Sequence, residues 1–456
     1  MKPGALASWI SRIQESPVRL RFFVLALAAG IALLSHGIFM RFLPAPWQPI
    51  QSSDYRTFYE PMARQLAAGR GYYLPSGKPA LTYPPGIPIV YGATFWLAER
   101  AGLSHQTSVK ALQALLTVLS AILVAAQALQ CYGARIALLA CTLWSTYPFH
   151  LWLTKQPSGE LLICVLLFSS VLIFVHWAAH GRASLLCGAV CGATLGFAAL
   201  TKPFTIALPA VFFGLAWICS VPCRPRKRAV FSLELLFVFA LSLSPWELWV
   251  WRVSGEFVPL CINGPASMAD GITFGGFRKG AHSHPVVPAN VAALAKDLAS
   301  HREDLLTTGG IVRLLSVEAK EKPIDVASLF LTKAVQAWYG NDSHTHEKWT
   351  ALIQLFYLPL FAAGAGLAWL RGRQEKNFLL IAAGVTLYYW AMTTVAALAI
   401  VRYMVPAAGL LMVPAAETAE VFIGAVAWRA GLGSRSKLSW RTSLADKAFS
   451  VDRRPV

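Results

Sequence analysis

The sequence predicts an all-α polytopic membrane protein with about ten transmembrane helices and two long outward loops that carry interfacial amphipathic helices. Three observations predict it. Hydrophobic residues make up 56% of the 456 residues and charged residues only 14%, a balance too apolar for an ordinary soluble domain. The apolar residues gather in runs of about 20, the length that crosses the hydrocarbon at roughly 1.5 Å per residue. Lys and Arg concentrate in alternate short connections, which is the pattern of cytoplasmic loops. The formal net charge of +18 therefore reads as membrane orientation and not as a nucleic-acid surface.

The apolar runs lie near residues 22–40, 108–130, 135–153, 158–179, 184–200, 203–220, 229–251, 350–370, 377–399 and 403–428. The basic start (Lys2, Arg12, Arg19, Arg21) followed by 22–40 resembles a signal peptide, but the run is long and lacks a small-x-small cleavage site, so it reads as a retained anchor. The shorter stretch Ile87 to Leu97 follows two prolines and reads as an interfacial or re-entrant helix. Arg224, Arg226, Lys227 and Arg228 crowd one connection, and Arg371, Arg373 and Lys376 another. A third group, Arg435, Lys437, Arg441, Lys447, Arg453 and Arg454, lies in the tail. Ten spans place these groups and the N-terminus on one side, the cytoplasmic one. The expected organisation is thus an integral membrane domain over 1–430 and a basic cytoplasmic tail over 431–456, with outward loops at about 41–107 and 252–349. The implied location is the cytoplasmic (inner) membrane, with both termini inside and the long loops facing the periplasm in a bacterial cell. Of the eight cysteines, only Cys261 falls within an outward loop, so no outward disulfide pair is expected.

In the first loop, Tyr55, Phe58, Tyr59, Met62 and Leu66 recur at helical spacing. They predict an amphipathic helix lying on the membrane with Asp54 at its N-terminus, where an acid suits a cap and the helix dipole. Gly69-Arg70-Gly71 ends it. The second loop opens with a glycine-rich stretch from Asn263-Gly264 to Gly280 and continues as polar helix, with a further amphipathic segment over Asp325 to Tyr339. Such helices would roof a cavity at the outer leaflet. Gly188, Gly192 and Gly196 recur every four residues and read as a packing stripe.

Ionisable residues within the spans are few and lie near the ends: Glu234, Glu417 and Glu420 inward, Glu160, Glu247 and Arg402 outward. A proton-coupled transporter would need a relay at mid-depth, and none is present. What the outward face does carry is a lone acid among aromatic and basic residues, which suits chemistry on a lipid-linked phosphate. A polyprenyl tail cannot leave the bilayer, since each buried methylene contributes about 0.8 kcal/mol, so the reaction must occur at the interface. With phosphate as a stable leaving group, sugar transfer needs one base to take the acceptor hydroxyl proton. Asp54 is that candidate, against the alternative of a helix cap alone. Lys202, Arg402 and Lys78 are the candidates for holding the donor phosphate, against snorkelling to lipid headgroups. Tyr55, Arg56, Tyr83 and Asn263 are weaker candidates for substrate contact, and the aromatic residues also suit an interfacial belt. Tyr83-Pro84-Pro85-Gly86 predicts a stiff bend. His282 and His284, and His344 and His346, read as solvated loop histidines. A divalent metal is only a subsidiary alternative, and no metal ligands are assigned.

These residues resemble the polytopic glycosyltransferases of the GT-C fold, specifically the bacterial relatives of the protein O-mannosyltransferase and aminoarabinose transferase group (glycosyltransferase family 39-like). The resemblance is carried by Ser53-Asp54-Tyr55, by Gly77-Lys78-Pro79 leading to Tyr83-Pro84-Pro85-Gly86, and by Gly196 to Pro203. Further on it continues through Ser244-Pro245-Trp246, the stretch after Asn263, Lys333 to Trp338, and Arg402-Tyr403-Met404-Val405-Pro406. It implies an inverting transferase that uses a polyprenyl-phosphate sugar on the outer side, with Asp54 near the acceptor and Lys202 and Arg402 near the donor phosphate. The chain departs from aminoarabinose transferases at Tyr83, where they tend to carry lysine, which argues against that specific activity. The acceptor expected is a glycan, lipid or protein. The alternatives are a transporter or flippase of a lipid or lipid-linked sugar, and an inactive family member serving as a partner subunit.

Overall fold

The computed structural model describes residues 17–430 apart from 49, 51, 182–184 and 280–285; the basic tail and the His282/His284 pair lie outside the described residues. Among the described residues the chain is helical, with one isolated antiparallel bridge between Tyr73 and Pro79. It starts with α1 (Pro17–Phe42). The first outward loop holds a π-helical turn, Tyr55–Tyr59, that runs into α2 (Glu60–Ala67), followed by α3 (Gly86–Arg100). Then come α4 (His105–Cys131), α5 (Ala134–Thr146), α6 (Pro148–Lys155), α7 (Glu160–His180), α8 (Leu185–Thr201), α9 (Leu208–Ile218) and α10 (Pro225–Ser254). The second outward loop is itself helical: α11 (Gly264–Ile272), α12 (Gly276–Lys279), α13 (Ala289–Ser300), α14 (Thr308–Glu321) and α15 (Pro323–Gln336). The chain returns through α16 (Glu347–Leu370), α17 (Arg373–Ala396) and α18 (Val401–Arg429).

All ten apolar runs are helical, but they are not ten equal spans. Among the described residues seven helices, α1, α4, α7, α10, α16, α17 and α18, are long and apolar enough to cross a membrane. The run at 135–153 is broken into α5 and α6 by a 58° bend and makes an eighth if counted as one. Pro148 accounts for the break, because it withholds an N–H and forces Tyr147 out of the helical region. The runs at 184–200 and 203–220 form the shorter helices α8 and α9.

Small residues and aromatics hold the bundle together. A Cβ added at Gly192 would lie 2.3 Å from the Leu235 carbonyl oxygen, and one at Gly188 would lie 2.7 Å from that of Phe231. The glycine stripe of α8 is therefore pressed against the α10 backbone, as its spacing predicts. Trp144, Trp177, Phe168, Phe174, Phe212 and Phe231 fill the interior, with Trp177 stacked on Phe231 at 4.0 Å. Two buried amides find partners in this apolar medium: the Gln127 amide donates to the Phe168 carbonyl at 2.7 Å and that of Gln354 to the Tyr147 hydroxyl at 3.0 Å.

Two outward elements depart from the sequence expectation. The stripe Tyr55, Phe58, Tyr59 and Met62 does not lie on lipid but is buried against Tyr91 and Phe95 of α3 and Trp246 of α10. The partner that α3 and α10 supply is invisible to local periodicity, which cannot tell protein from bilayer. The stretch from Asn263 is a helix rather than a glycine loop, because its early Pro265 suits the first turn and its apolar side joins a cluster with Leu294, Leu298, Ile311 and Leu329. The segment expected over Asp325 to Tyr339 is α15.

Replacing Gly192 by Ala is expected to lower the melting temperature, with an overpacking cost of about 1–3 kcal/mol. Gly214→Ala in α9, where an added Cβ meets nothing within 4 Å, should be neutral or stabilise by up to ~1 kcal/mol through helix propensity. Thermal unfolding of the two variants in the same detergent checks the pair.

Candidate active site

A cavity of about 630 Å³ opens among the two long loops, a size typical of small-molecule sites. Its wall is assembled from segments far apart in the chain: Asp54, Tyr59 and Tyr83 of the first loop, Lys202 between α8 and α9, Asn263 and Asp270 of the second loop, Asp342, and Arg402 and Tyr403 at the start of α18. Close backbone approaches bring these together. A Cβ on Gly86 would fall 2.6 Å from the Leu200 carbonyl oxygen and 2.7 Å from the Thr201 hydroxyl, so the Pro84-Pro85-Gly86 bend sits directly on the turn that carries Lys202. Gly159 has φ +88°, a region open to glycine, and a Cβ there would strike Ile87 at 2.3 Å. At the other side Gly340 lies against the Ala399 carbonyl, and the Val401 N–H donates to the Gly340 carbonyl at 2.8 Å.

The two loops are tied to each other and to α10. The Ile262 N–H donates to the Leu81 carbonyl at 3.1 Å. Trp246 donates to the Leu260 carbonyl at 2.8 Å, and the Glu247 carboxylate accepts the Leu260 N–H at 2.9 Å. Leu260 has φ +59°, an unfavourable value for a branched side chain, and these two bonds hold it there. The Ser244-Pro245-Trp246 segment thus delivers Asn263 to the cavity.

Asp54 does not act as a helix cap. Its backbone is already helical, its side chain makes no capping bond, and the Ser52 hydroxyl accepts the Tyr55 N–H at 3.3 Å instead. The carboxylate faces the cavity, where the Tyr83 hydroxyl donates to it at 3.4 Å. Tyr83 is in turn fixed by ring contacts with Phe58 (5.0 Å) and Tyr59 (5.4 Å), while the Tyr72 hydroxyl donates to the Tyr83 carbonyl at 3.0 Å. Burial first, then the Asp54 charge, push the Tyr59 phenol well above the ordinary tyrosine value. It stays protonated and able to donate.

Opposite the acid lie two cations on one buried carboxylate. Lys202 Nζ is 3.0 Å and Arg402 Nε 3.3 Å from the same Glu160 oxygen. The Glu160 side chain is only 4% exposed, and the contacts are ion pairs without hydrogen-bond alignment for Arg402. Arg402 also reaches Asp342 at 3.4 Å, and both cations lie over the Tyr403 ring at 5.2–5.6 Å. Pro203 forces Lys202 into extended backbone. Burial opposes the Lys202 charge, but the Glu160 carboxylate, aided by Tyr403 and Asp54, outweighs it and holds the ammonium above the ordinary lysine value.

Of the residues the sequence singles out, Asp54, Tyr83, Lys202, Asn263 and Arg402 share this cavity. Lys78, Tyr55 and Arg56 do not line it. Lys78 sits in a turn where its carbonyl accepts the Leu74 N–H at 2.8 Å. Tyr55 is buried against Tyr91 at 5.5 Å, and the exposed Arg56 donates to the Ile50 carbonyl. For Tyr55 and Arg56 a ring or backbone partner takes the side chain elsewhere. Glu160 and Asp342 carry no role in the sequence reading. The only local signal for Glu160 is an acid at the mouth of a span, a costly place for an unpaired charge. Among the described residues no three His, Cys, Asp or Glu side chains gather as a metal site. His344 bonds Glu347 at 2.7 Å and His346 packs on Trp47 at 6.1 Å.

No protein-family model and no curated protein sequence matches the chain. Solved structures do. The oligosaccharyltransferase of Archaeoglobus fulgidus, tethered to an acceptor peptide containing the NVT sequon, aligns over 97% of this chain with a TM-score of 0.55 at 12% identity. The same organism's oligosaccharyltransferase AglB, with an inhibitory peptide and a dolichol-phosphate, aligns over 96% with a TM-score of 0.51 at 14% identity. The chain spans about half the length of these proteins, 54% and 55%. ArnT from Cupriavidus metallidurans, bound to undecaprenyl phosphate, aligns over 88% of this chain and 78% of its own at 16% identity, with a TM-score of 0.42. The helical bundle and its outward layer are thus those of the GT-C fold, as the sequence motifs imply.

Proposed function

We propose that the protein is an inverting glycosyltransferase that moves a sugar from a polyprenyl-phosphate donor to an acceptor hydroxyl on a glycan, lipid or protein, at the outer face of the cytoplasmic membrane. One observation carries this reading: the Asp54 carboxylate and the Lys202 and Arg402 cations, from three distant parts of the chain, line one cavity. The oligosaccharyltransferase likeness and the dolichol-phosphate bound by AglB support the general reaction.

The roles follow from charge. The acceptor O–H gives its proton to Asp54 as its oxygen attacks the anomeric carbon. The bond from that carbon to the phosphate oxygen breaks in the same displacement, inverting the centre, and the electron pair leaves with the polyprenyl phosphate. Charge on that phosphate grows as the bond breaks, so preorganised cations stabilise the transition state more than the ground state. Glu160, buried beneath both cations, and Asp342 beside Arg402 balance their charge before the donor binds. Asp342, 46% exposed at the rim, is the member of the group with which an incoming phosphate competes for Arg402. Tyr83 and Tyr59 orient Asp54 and offer donors to sugar oxygens. In this reading Lys78, Tyr55 and Arg56 support the loop and do not touch the donor.

Asp54→Asn is expected to reduce transfer by roughly 10²–10⁴ with unchanged expression and thermal stability. Proteoliposomes given a labelled polyprenyl-phosphate sugar measure this, and wild-type movement of label across the bilayer without a new glycosidic bond would replace the transferase by a flippase. Glu160→Gln leaves both cations without their shared counter-charge. It should cost roughly 2–3 kcal/mol, less than the ~3–5 of a fully buried pair because Lys202 and Arg402 are partly exposed. Donor KM should rise in the same variant, and both changes are read from melting curves and initial rates.

A further inference from the structure

Lys333 has no part in the cavity just described. It sits in the last turn of α15, is 0% exposed, and its Nζ has no hydrogen-bond partner; the Phe330 ring is 5.9 Å away. The nitrogen lies where the outward layer meets the bundle. A Cβ built on Gly271 would be 2.8 Å from Lys333 Nζ and 2.3 Å from the Ala397 carbonyl oxygen. Ala397 and Asp270, the residue before Gly271, both line the cavity. The ammonium is therefore directly behind the wall, and glycine at 271 keeps that wall thin.

Neighbouring elements do not compensate its charge. The segment of α17 after Lys376 carries no charged residue. Asp297 of α13 and Glu318 of α14 are both engaged by Lys322 at 3.1 Å. Lys296 of α13 and Arg313, Lys320 and Glu321 of α14 are exposed, and the one acid of α11, Asp270, is buried and engaged with a partner other than Lys333. Burial alone pushes the Lys333 amino group down to about 7. Near neutral pH the group is thus about half protonated, and its charged form, buried without a partner, destabilises the fold where an apolar side chain of similar length would not. Charge held in such a medium is unscreened and acts across several ångströms.

We propose that Lys333 is a positioning residue whose charge, acting through the Gly271–Ala397 wall, draws an anionic lipid phosphate into the cavity. This deepens the donor reading above and rests on it. The lipid phosphate supplies a counter-charge across the wall, so the protonated form of Lys333 is favoured on binding. Substrate affinity and stability of the free protein are then set against each other at this position.

The test uses the full chain in nanodiscs, with binding of undecaprenyl phosphate and of uncharged undecaprenol measured for wild type and Lys333→Met, and with Lys333→Gln as a second variant. The expected result is a higher melting temperature for Lys333→Met and about 5- to 10-fold weaker binding of undecaprenyl phosphate, with undecaprenol binding unchanged. Equal undecaprenyl phosphate affinity in the folded variants would overturn the role of Lys333 and leave the donor reading intact. A parallel loss for undecaprenol would reduce Lys333 to a packing residue. Wild-type protein that does not prefer the phosphate over the alcohol would remove the donor reading, and this role with it.

Discussion

The outward face depends on the Glu160 carboxylate beneath Lys202 and Arg402. Two cations at ion-pair distance from one oxygen would repel each other strongly in a medium of low dielectric, and neither could be kept there without a counter-charge. Glu160 supplies it from the first turn of α7, immediately after the left-handed Gly159. The end of α8 and the start of α18 are thereby pinned to the mouth of α7. Both cations are thereby held at the cavity wall, with Asp342 as the second carboxylate on Arg402.

Backbone contact gives that electrostatic arrangement its precision. Gly86 on the Leu200 carbonyl, Gly340 on the Ala399 carbonyl and Gly271 on the Ala397 carbonyl are approaches that any side chain would block. Each joins a loop segment to a bundle helix end, so the acid on the first loop and the cations on the bundle are held in one frame. Cavities built this way resist collapse even though their wall is largely composed of connections.

Much of this was legible in the sequence. Apolar run length located every bundle helix, since a run of apolar residues is a local property with one dominant use. Span count was less legible, because Pro148 breaks one run and two others are short. At the site, charge and aromatic residues in the loops singled out Asp54, Lys202 and Arg402, which the structure brings to one cavity. Lys78, Arg56 and Tyr55 shared that placement and the same kind of motif, and only their local partners separate them from the cavity.

By itself the sequence determined the membrane class and the helical segments, and it singled out most of the charged residues that the structure brings to one cavity. Those properties reside in composition, periodicity and charge along the chain. Tertiary structure decided that Ser52 and not Asp54 caps the first-loop helix, that the aromatic stripe packs on α3 instead of lipid, and that Glu160 unites the cations. It also set Lys333 behind the cavity wall. Apart from the Ser52 cap, which is local, these are contacts between segments separated by tens to hundreds of residues, settled by which surfaces can bury each other and by where a buried charge finds its partner.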